Sequence, residues 1–313
     1  MKVLQIATTF SQACGIAHFA ENLQTVLRQG GIAVDTVADL SMPDDANLVV
    51  LHYHSELLND DTIAHYADMC RVPVILFAHD GVSDGLCNHV DGVMTMSSGL
   101  LASGALRRCV FPHPAWTPTM LEDRNALRQE FALPPDALIV GTHGFLKFER
   151  QFAEIVSALL SRTDLPHLFV ELITSPWRLE SPGLIAQFDD LRRRNPTRFR
   201  FQYDFLDDRA LNRRLQACDL LWCWTQAPSG PYASGVISDQ YASGTRIVAT
   251  EKEQHWHVLN LPNVVCAPPA LEPFIEQLIS EIRGGQRGRH DPMPISWHLC
   301  SSDVARFLSG FVG

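Results

Sequence analysis

Lys147 and Arg150 stand three residues apart in "GTHGFLKFER", behind two glycines and ahead of a helical pattern. Two cations beside a helix N-terminus supply what a diphosphate needs: positive charge, forked donors and aligned backbone N–H groups. Gly144 lets backbone come close to a ligand, and with Gly141 it reads as flanking a turn. A pair of solvated surface cations is the plain alternative. A second stretch, "QAPSGPYASGVISDQYASGTRIVAT" (226–250), holds three Ser-Gly pairs. Ser234 and Gly235 open a helical segment there, Val236 follows, and Asp239 lies about one turn further on. Amides at that start face an anion well, and a carboxylate can accept hydrogen bonds from two ribose hydroxyls. A surface turn feeding a helix with an exposed Asp fits the same letters.

Two more loops carry candidate chemistry. "FAHDG" follows an apolar run, so His79 and Asp80 leave a buried strand at its carboxyl end, able to orient a substrate hydroxyl or hold a local charge. A loop His beside an Asx turn is the alternative. In "SQACGIAHF", Gly15 stands where a helix begins after the first strand, either approaching a ligand or making a tight turn. "HYH" (52–54) and "HWH" (255–257) place histidines at alternate positions, but no H-E-x-x-H or Cys/His set accompanies them, so no metal site is expected. No G-x-S-x-G nucleophile motif occurs.

Loops of this kind need a sheet to hold them. Short apolar runs ("KVLQIA", "IAVDTVA", "NLVVLHYH", "VPVILFAH", "VDGVMTM") alternate with helical patterns such as "GIAHFAENLQTVLRQGG", which Gly30 and Gly31 close. That alternation means βαβ units and parallel sheets covered on both faces. "RCVFPHPAWTPTM" (108–120) interrupts it with three prolines and reads as a linker. The alternation restarts with "ALIVGTHG" and runs through "HLFVELIT", "RFRFQYDF", "DLLWCW", "TRIVAT" and "NVVCAP". "RGGQRGRHDPMP" (283–294) is a polar connector to a terminal helix in "ISWHLCSSDVARFLSGF". The expected organisation is α/β: two Rossmann-like domains, 1–117 and 118–290, and a C-terminal helix within 291–313.

The chain has 313 residues, 46% apolar and 19% charged, with a formal charge of −10. Such a balance fits a soluble enzyme and argues against a protein that binds nucleic acid through phosphate neutralisation. The eight cysteines form no C-x-x-C; Cys109, Cys218, Cys223 and Cys266 lie in apolar runs and read as small hydrophobes. With no signal peptide pattern and no apolar run near the roughly 20 residues a bilayer demands, a cytoplasmic protein without a transmembrane segment is expected.

Taken together, the segments resemble glycosyltransferase family 4 and the wider GT-B fold. "CGIAHFAENL" is similar to that family's N-terminal Gly loop and first helix, and "FAHDG" to its acceptor-side His loop. "VDGVMTMSSGL" and "CVFPHP" match its approach to the linker. "LPPDALIVGTHGFLKFERQFAEIVSAL" and "FLDDRALNRRLQACDLLWCW" are similar to its donor domain, and "ASGVISDQYASGTRIVAT" to its donor loop. "SWHLCSSDVARFL" resembles the helix that returns toward the N-terminal domain.

The resemblance implies two sheets facing across a cleft and a retaining, hexosyltransferase-like enzyme. Its partners would be a nucleotide-diphosphate sugar and an unidentified acceptor: saccharide, lipid-linked or protein. Lys147 and Arg150 would hold the leaving diphosphate, with Gly144 and the amides of Ser234, Gly235 and Val236. Asp239 would bind ribose, His79 would face sugar and acceptor, and Gly15 and Asp80 would lie on the acceptor side. No cofactor or metal is implied, since cations and helix dipoles do that work. The chain departs from the family's E-x7-E pattern: the first Glu falls on Pro231, and the second is Asp239. A GT-B-fold binding or scaffold protein that has lost catalysis is the alternative.

Overall fold

The computed structural model describes residues 1–9, 15–96, 106–118, 120–147, 150–175, 182–226 and 233–312. Pro231 and the first Ser-Gly pair fall outside them. In chain order the first elements are β1 (Lys2–Ile6), α1 (Gly15–Gln29), β2 (Ala33–Val37), β3 (Leu48–Tyr53), α2 (Asp60–Met69), β4 (Val74–Ala78), α3 (Asp84–Cys87), β5 (Gly92–Thr95) and β6 (Arg107–Val110). Then come α4 (Arg124–Glu130), β7 (Leu138–Phe145), α5 (Phe152–Leu160), β8 (Leu168–Ser175), α6 (Pro182–Arg194), β9 (Phe199–Tyr203), α7 (Asp208–Gln216) and β10 (Leu220–Cys223). The series ends with α8 (Gly235–Ala242), β11 (Arg246–Thr250), α9 (Trp256–Leu259), β12 (Val264–Ala267), α10 (Leu271–Gly284) and α11 (Trp297–Ser309).

Two compact units result. The first comprises Met1–Pro114, Gly230–Ala233 and Ile295–Gly313. Its parallel sheet runs β2-β1-β3-β4-β5-β6. The inner strands β3, β4 and β5 are buried along their whole length because both faces are covered, whereas the edge strands β2 and β6 are partly exposed. Leu4, Ile6, Val49, Leu51, Val74 and Leu76 pack with Ile63 and Tyr66 of α2. α1 and α11 pack together, with Phe19 and Trp297 in ring contact at 4.8 Å. β6 corrects the linker reading of 108–120: Arg107–Val110 pairs in register with Gly92–Thr95 as an edge strand. Four residues, half of them charged, carry no apolar alternation, which is why the segment does not look like a strand.

The second unit comprises Ala115–Ser229 and Ser234–Pro294. Its parallel sheet runs β12-β11-β10-β7-β8-β9. Val140, Val170, Leu172, Leu220, Trp222 and Val248 meet Ile155, Leu159, Phe188, Phe274 and Leu278 from the helices. At the amino ends of β7 and β10, buried Asp219 binds Arg128 at 2.5 Å and accepts from the Ile139 N–H at 2.8 Å. The connector of 283–294 is pinned rather than loose: Arg289 donates to the carbonyls of Glu122 and Gln216. No described helix is long and apolar enough to cross a membrane. The seven described cysteines are free; Cys218 and Cys223 are buried as expected, whereas Cys266 is exposed because β12 is an edge strand.

Candidate functional site

In the second sheet the chain winds from β7 outward to β9, then crosses back to lay β10 on the other side of β7. Where connections leave in opposite directions, the crevice outside the strands' carboxyl ends admits a ligand. β7 ends there with His143, Gly144 and Phe145, and β10 with Cys223, followed by Trp224.

Gly141 and Gly144 do not flank a turn, since β7 runs through both. Gly141 is a packing glycine: a Cβ there would lie 2.6 Å from Cys218 Sγ. Gly144 has φ of +139°, and a Cβ would lie 3.3 Å from Val236 Cγ2. Glycine alone tolerates that backbone, and its missing side chain lets the end of β7 close on the start of α8.

α8 begins as the letters suggest, with Ser234 at the N-cap and Gly235 and Val236 in the first turn. Asn59, Ser83, Asp123, Asp207 and Ser296 all cap their helices through the side chain, but Ser234 makes no such bond. Its backbone N–H donates instead to the Gln254 carbonyl at 2.9 Å. The first-turn amides have no intrahelical acceptor, and they lie at the positive end of the helix. The helix is anchored from behind: buried Gln240 donates to the Trp222 carbonyl and to Thr142 Oγ1. The third pair, Ser243-Gly244, closes the far end of α8 with Gly244 at φ +70°.

Asp239 lies on α8 one turn in, and His143 meets it, Nε2 to Oδ2 at 3.3 Å. His143 is 6% exposed and its buried Nδ1 has no partner among the described residues, so the Nε2–H tautomer, donating to the carboxylate, satisfies the pair best. His143 stands in plain sight in "GTHG", hidden by reading those letters as a turn; its signal is a His at the carboxyl end of a strand. Arg150, half-buried, donates from Nη1 to the Trp224 carbonyl at 3.3 Å, which holds its guanidinium beside the end of β10. Lys147 is half-buried in the segment leading to α5, and its carbonyl accepts from the Arg150 N–H.

Cys223 and His255 have the geometry of a nucleophile and its base, Sγ to Nε2 at 3.6 Å. Burial pushes the thiol up to about 11 and the imidazole down to about 4. Both partners stay neutral at pH 7, so the bond is structural; His255 Nδ1 donates to the Thr250 carbonyl at 2.8 Å. His257 bonds Ser238 at 2.8 Å, which ties α9 to α8. Among the described residues no three His, Cys, Asp or Glu side chains gather as a metal site.

In the first sheet the connections diverge between β1 and β3. Gly15 begins α1 there, and a Cβ on it would meet nothing within 4 Å among the described residues; residues 10–14 of its loop lie outside them. His79 follows β4, and its N–H donates to the Tyr53 carbonyl at the end of β3. Its Nε2 lies 2.9 Å from Nδ1 of buried His52. Asp80 turns back on the scaffold: its carboxylate accepts from the Ser55 N–H at 3.0 Å and from the Ser55 hydroxyl. Burial lowers His52 to about 3, and burial, then neighbouring His52, His113 and His54, holds His79 well below its ordinary value.

No protein-family model matches this chain, and no curated protein does. Solved structures do. HepE from Anabaena in complex with UDP superposes with a TM-score of 0.72 at 15% identity, over 99% of this chain and 100% of that one. The fold is GT-B. This GT-B chain is also similar to sucrose-phosphate synthase from Thermosynechococcus elongatus, with a TM-score of 0.70 at 13% identity, covering 100% of this chain and 95% of that one. The catalytic domain of starch synthase IV from Arabidopsis thaliana, bound to ADP and acarbose, gives 0.72 at 11%, over 100% and 99%. At such identities the likeness is one of fold.

Proposed function

We propose that this GT-B chain transfers a sugar from a nucleoside-diphosphate donor to an acceptor hydroxyl with retention of configuration, in the cytoplasm and without a metal. The observation that carries the reading is the start of α8: an N-cap serine whose side chain makes no capping bond, closed against Gly144 at the sheet's crossover point. HepE has been seen with UDP-glucose, and starch synthase IV with ADP. That supports a nucleotide sugar here. The second unit holds the donor. Amides of Gly235 and Val236 receive a phosphate, and Lys147 and Arg150 stabilise the negative charge that grows as the sugar C1–O bond breaks. The acceptor oxygen bonds to C1, and its proton leaves with the diphosphate. Asp239 accepts from the ribose hydroxyls while His143 holds one of its oxygens. The first unit serves the acceptor side through His79, with Asp80 shaping the loop after β3 and Gly15 opening α1.

Asp239→Asn is expected to weaken nucleoside diphosphate binding about tenfold and to leave inorganic pyrophosphate binding unchanged. A carboxylate accepts from two hydroxyls, whereas an amide offers one acceptor and an ill-matched donor. Calorimetry with both ligands checks this; equal losses would assign Asp239 to phosphate or to folding. A thermal-shift panel of UDP, GDP, ADP and TDP tests the reading as a whole. A ligand at 100 times its Kd adds about 2.7 kcal/mol to stability, so the right base stands out, and a flat panel refutes nucleotide binding.

A further inference from the structure

We infer that His52 sets the proton of His79: His52 donates from Nδ1 to His79 Nε2, so His79 meets its substrate with Nδ1–H, as a hydrogen-bond donor rather than a base. His52 thereby becomes a positioning residue. The contact is 2.9 Å, between rings inclined by 25°. The His79 backbone cannot slide away, because its N–H is bound to the Tyr53 carbonyl at 3.0 Å. Aromatic rings enclose the pair: Phe77 stacks on His52, and Phe19 stands edge-on to both. Burial keeps both imidazoles neutral, and nearby His113 and His54 act on His79 in the same direction, with the Asp80 carboxylate turned toward Ser55. One proton therefore lies between the two nitrogens, and it has two possible owners.

If His79 owned it, His52 would carry its own hydrogen on Nε2. That atom is buried and has no hydrogen-bond partner among the described residues. If His52 owns it, Nε2 is a bare lone pair. A buried N–H without an acceptor is the costlier and rarer defect, so the second arrangement wins. His79 must then place its hydrogen on Nδ1, the nitrogen that His52 leaves open. A neutral Nδ1–H donor suits an oxygen with lone pairs, such as a sugar or acceptor hydroxyl. This last step rests on the glycosyltransferase reading, whereas the tautomer does not.

Nitrogen-15 spectra of the histidine rings test it without any ligand, with His79→Gln assigning the signals. The expected wild-type spectrum shows His79 protonated on Nδ1. His52→Asn keeps it, because the Asn amide nitrogen occupies the place of Nδ1 and still donates. His52→Leu removes the donor, and His79 reverts to the Nε2–H form. Wild-type His79 protonated on Nε2, or a folded His52→Leu variant that retains Nδ1–H, overturns the inference. Should His52→Leu fail to fold, the wild-type and His52→Asn spectra decide. Turnover per folded molecule is read separately. His79→Ala is expected to lower it about 100-fold. Unchanged turnover beside the expected spectra would overturn the substrate role of His79 and leave the tautomer assignment standing.

Discussion

A Lys147→Ala, Arg150→Ala double variant is expected to remain folded and to lose at least about 1,000-fold in sugar transfer, roughly 4 kcal/mol of transition-state stabilisation. Charge accumulates on the diphosphate as the sugar departs, and a fixed cation is worth more to that state than to the bound donor. Removing one such stabilising group costs about 100- to 1,000-fold. The loss should therefore appear in kcat, with a smaller loss in affinity for the nucleoside diphosphate. The fold should survive because neither residue is fully buried, and the bonds Arg150 makes, to the Trp224 carbonyl at 3.3 Å and to Cys223, lie at the end of β10 rather than within the core. Lys147→Ala alone leaves the Arg150 bonds intact and reads the share of Lys147. Turnover equal to wild type in the folded double variant would remove both residues from the site.

Acid should unfold the protein well above the usual carboxylate range. His52 and His255 are held to about 3 and about 4 by burial. In the unfolded chain each titrates near 6.5. The neutral ring is thus the folded form, and protons bind preferentially to the unfolded state. Stability is fully present above pH 6.5 and is lost as pH falls toward the folded values. At pH 5 each histidine withdraws about 2 kcal/mol, and His79 acts in the same direction. A loss of this size is a large share of the 5–15 kcal/mol that holds a typical domain together. Melting temperatures between pH 7.5 and 4.5 should fall steeply below 6.5. In His52→Asn the fall should be shallower by one histidine's share, and an equal slope would mean that His52 is not the group responsible.

The βαβ alternation made both sheets legible, because strands buried on two faces must be apolar along their whole length. Ser234, Gly235 and Asp239 were legible for a local reason: N-cap, first turn and next turn follow one another in the chain. What stayed hidden depends on distance in sequence. His143 meets Asp239 across 96 residues and His52 meets His79 across 27, pairings that no periodicity encodes. "HYH" and "HWH" do not name their partners either: His52, His255 and His257 each bond another protein side chain. Gly141 and Gly144 look alike as letters; one makes room for Cys218 and the other for Val236. β6 hid because an edge strand of four residues needs no apolar pattern.

The central claim is that a nucleoside diphosphate seats at the start of α8 against the end of β7. Glycine-15N-labelled protein, titrated with whichever of UDP, GDP, ADP or TDP stabilises it most, reads this directly. The amide signals of Gly235 and Gly144 should shift most and saturate together, while those of Gly284 and Gly285, at the end of α10, stay in place. Saturable binding that leaves Gly235 and Gly144 unmoved would contradict the account.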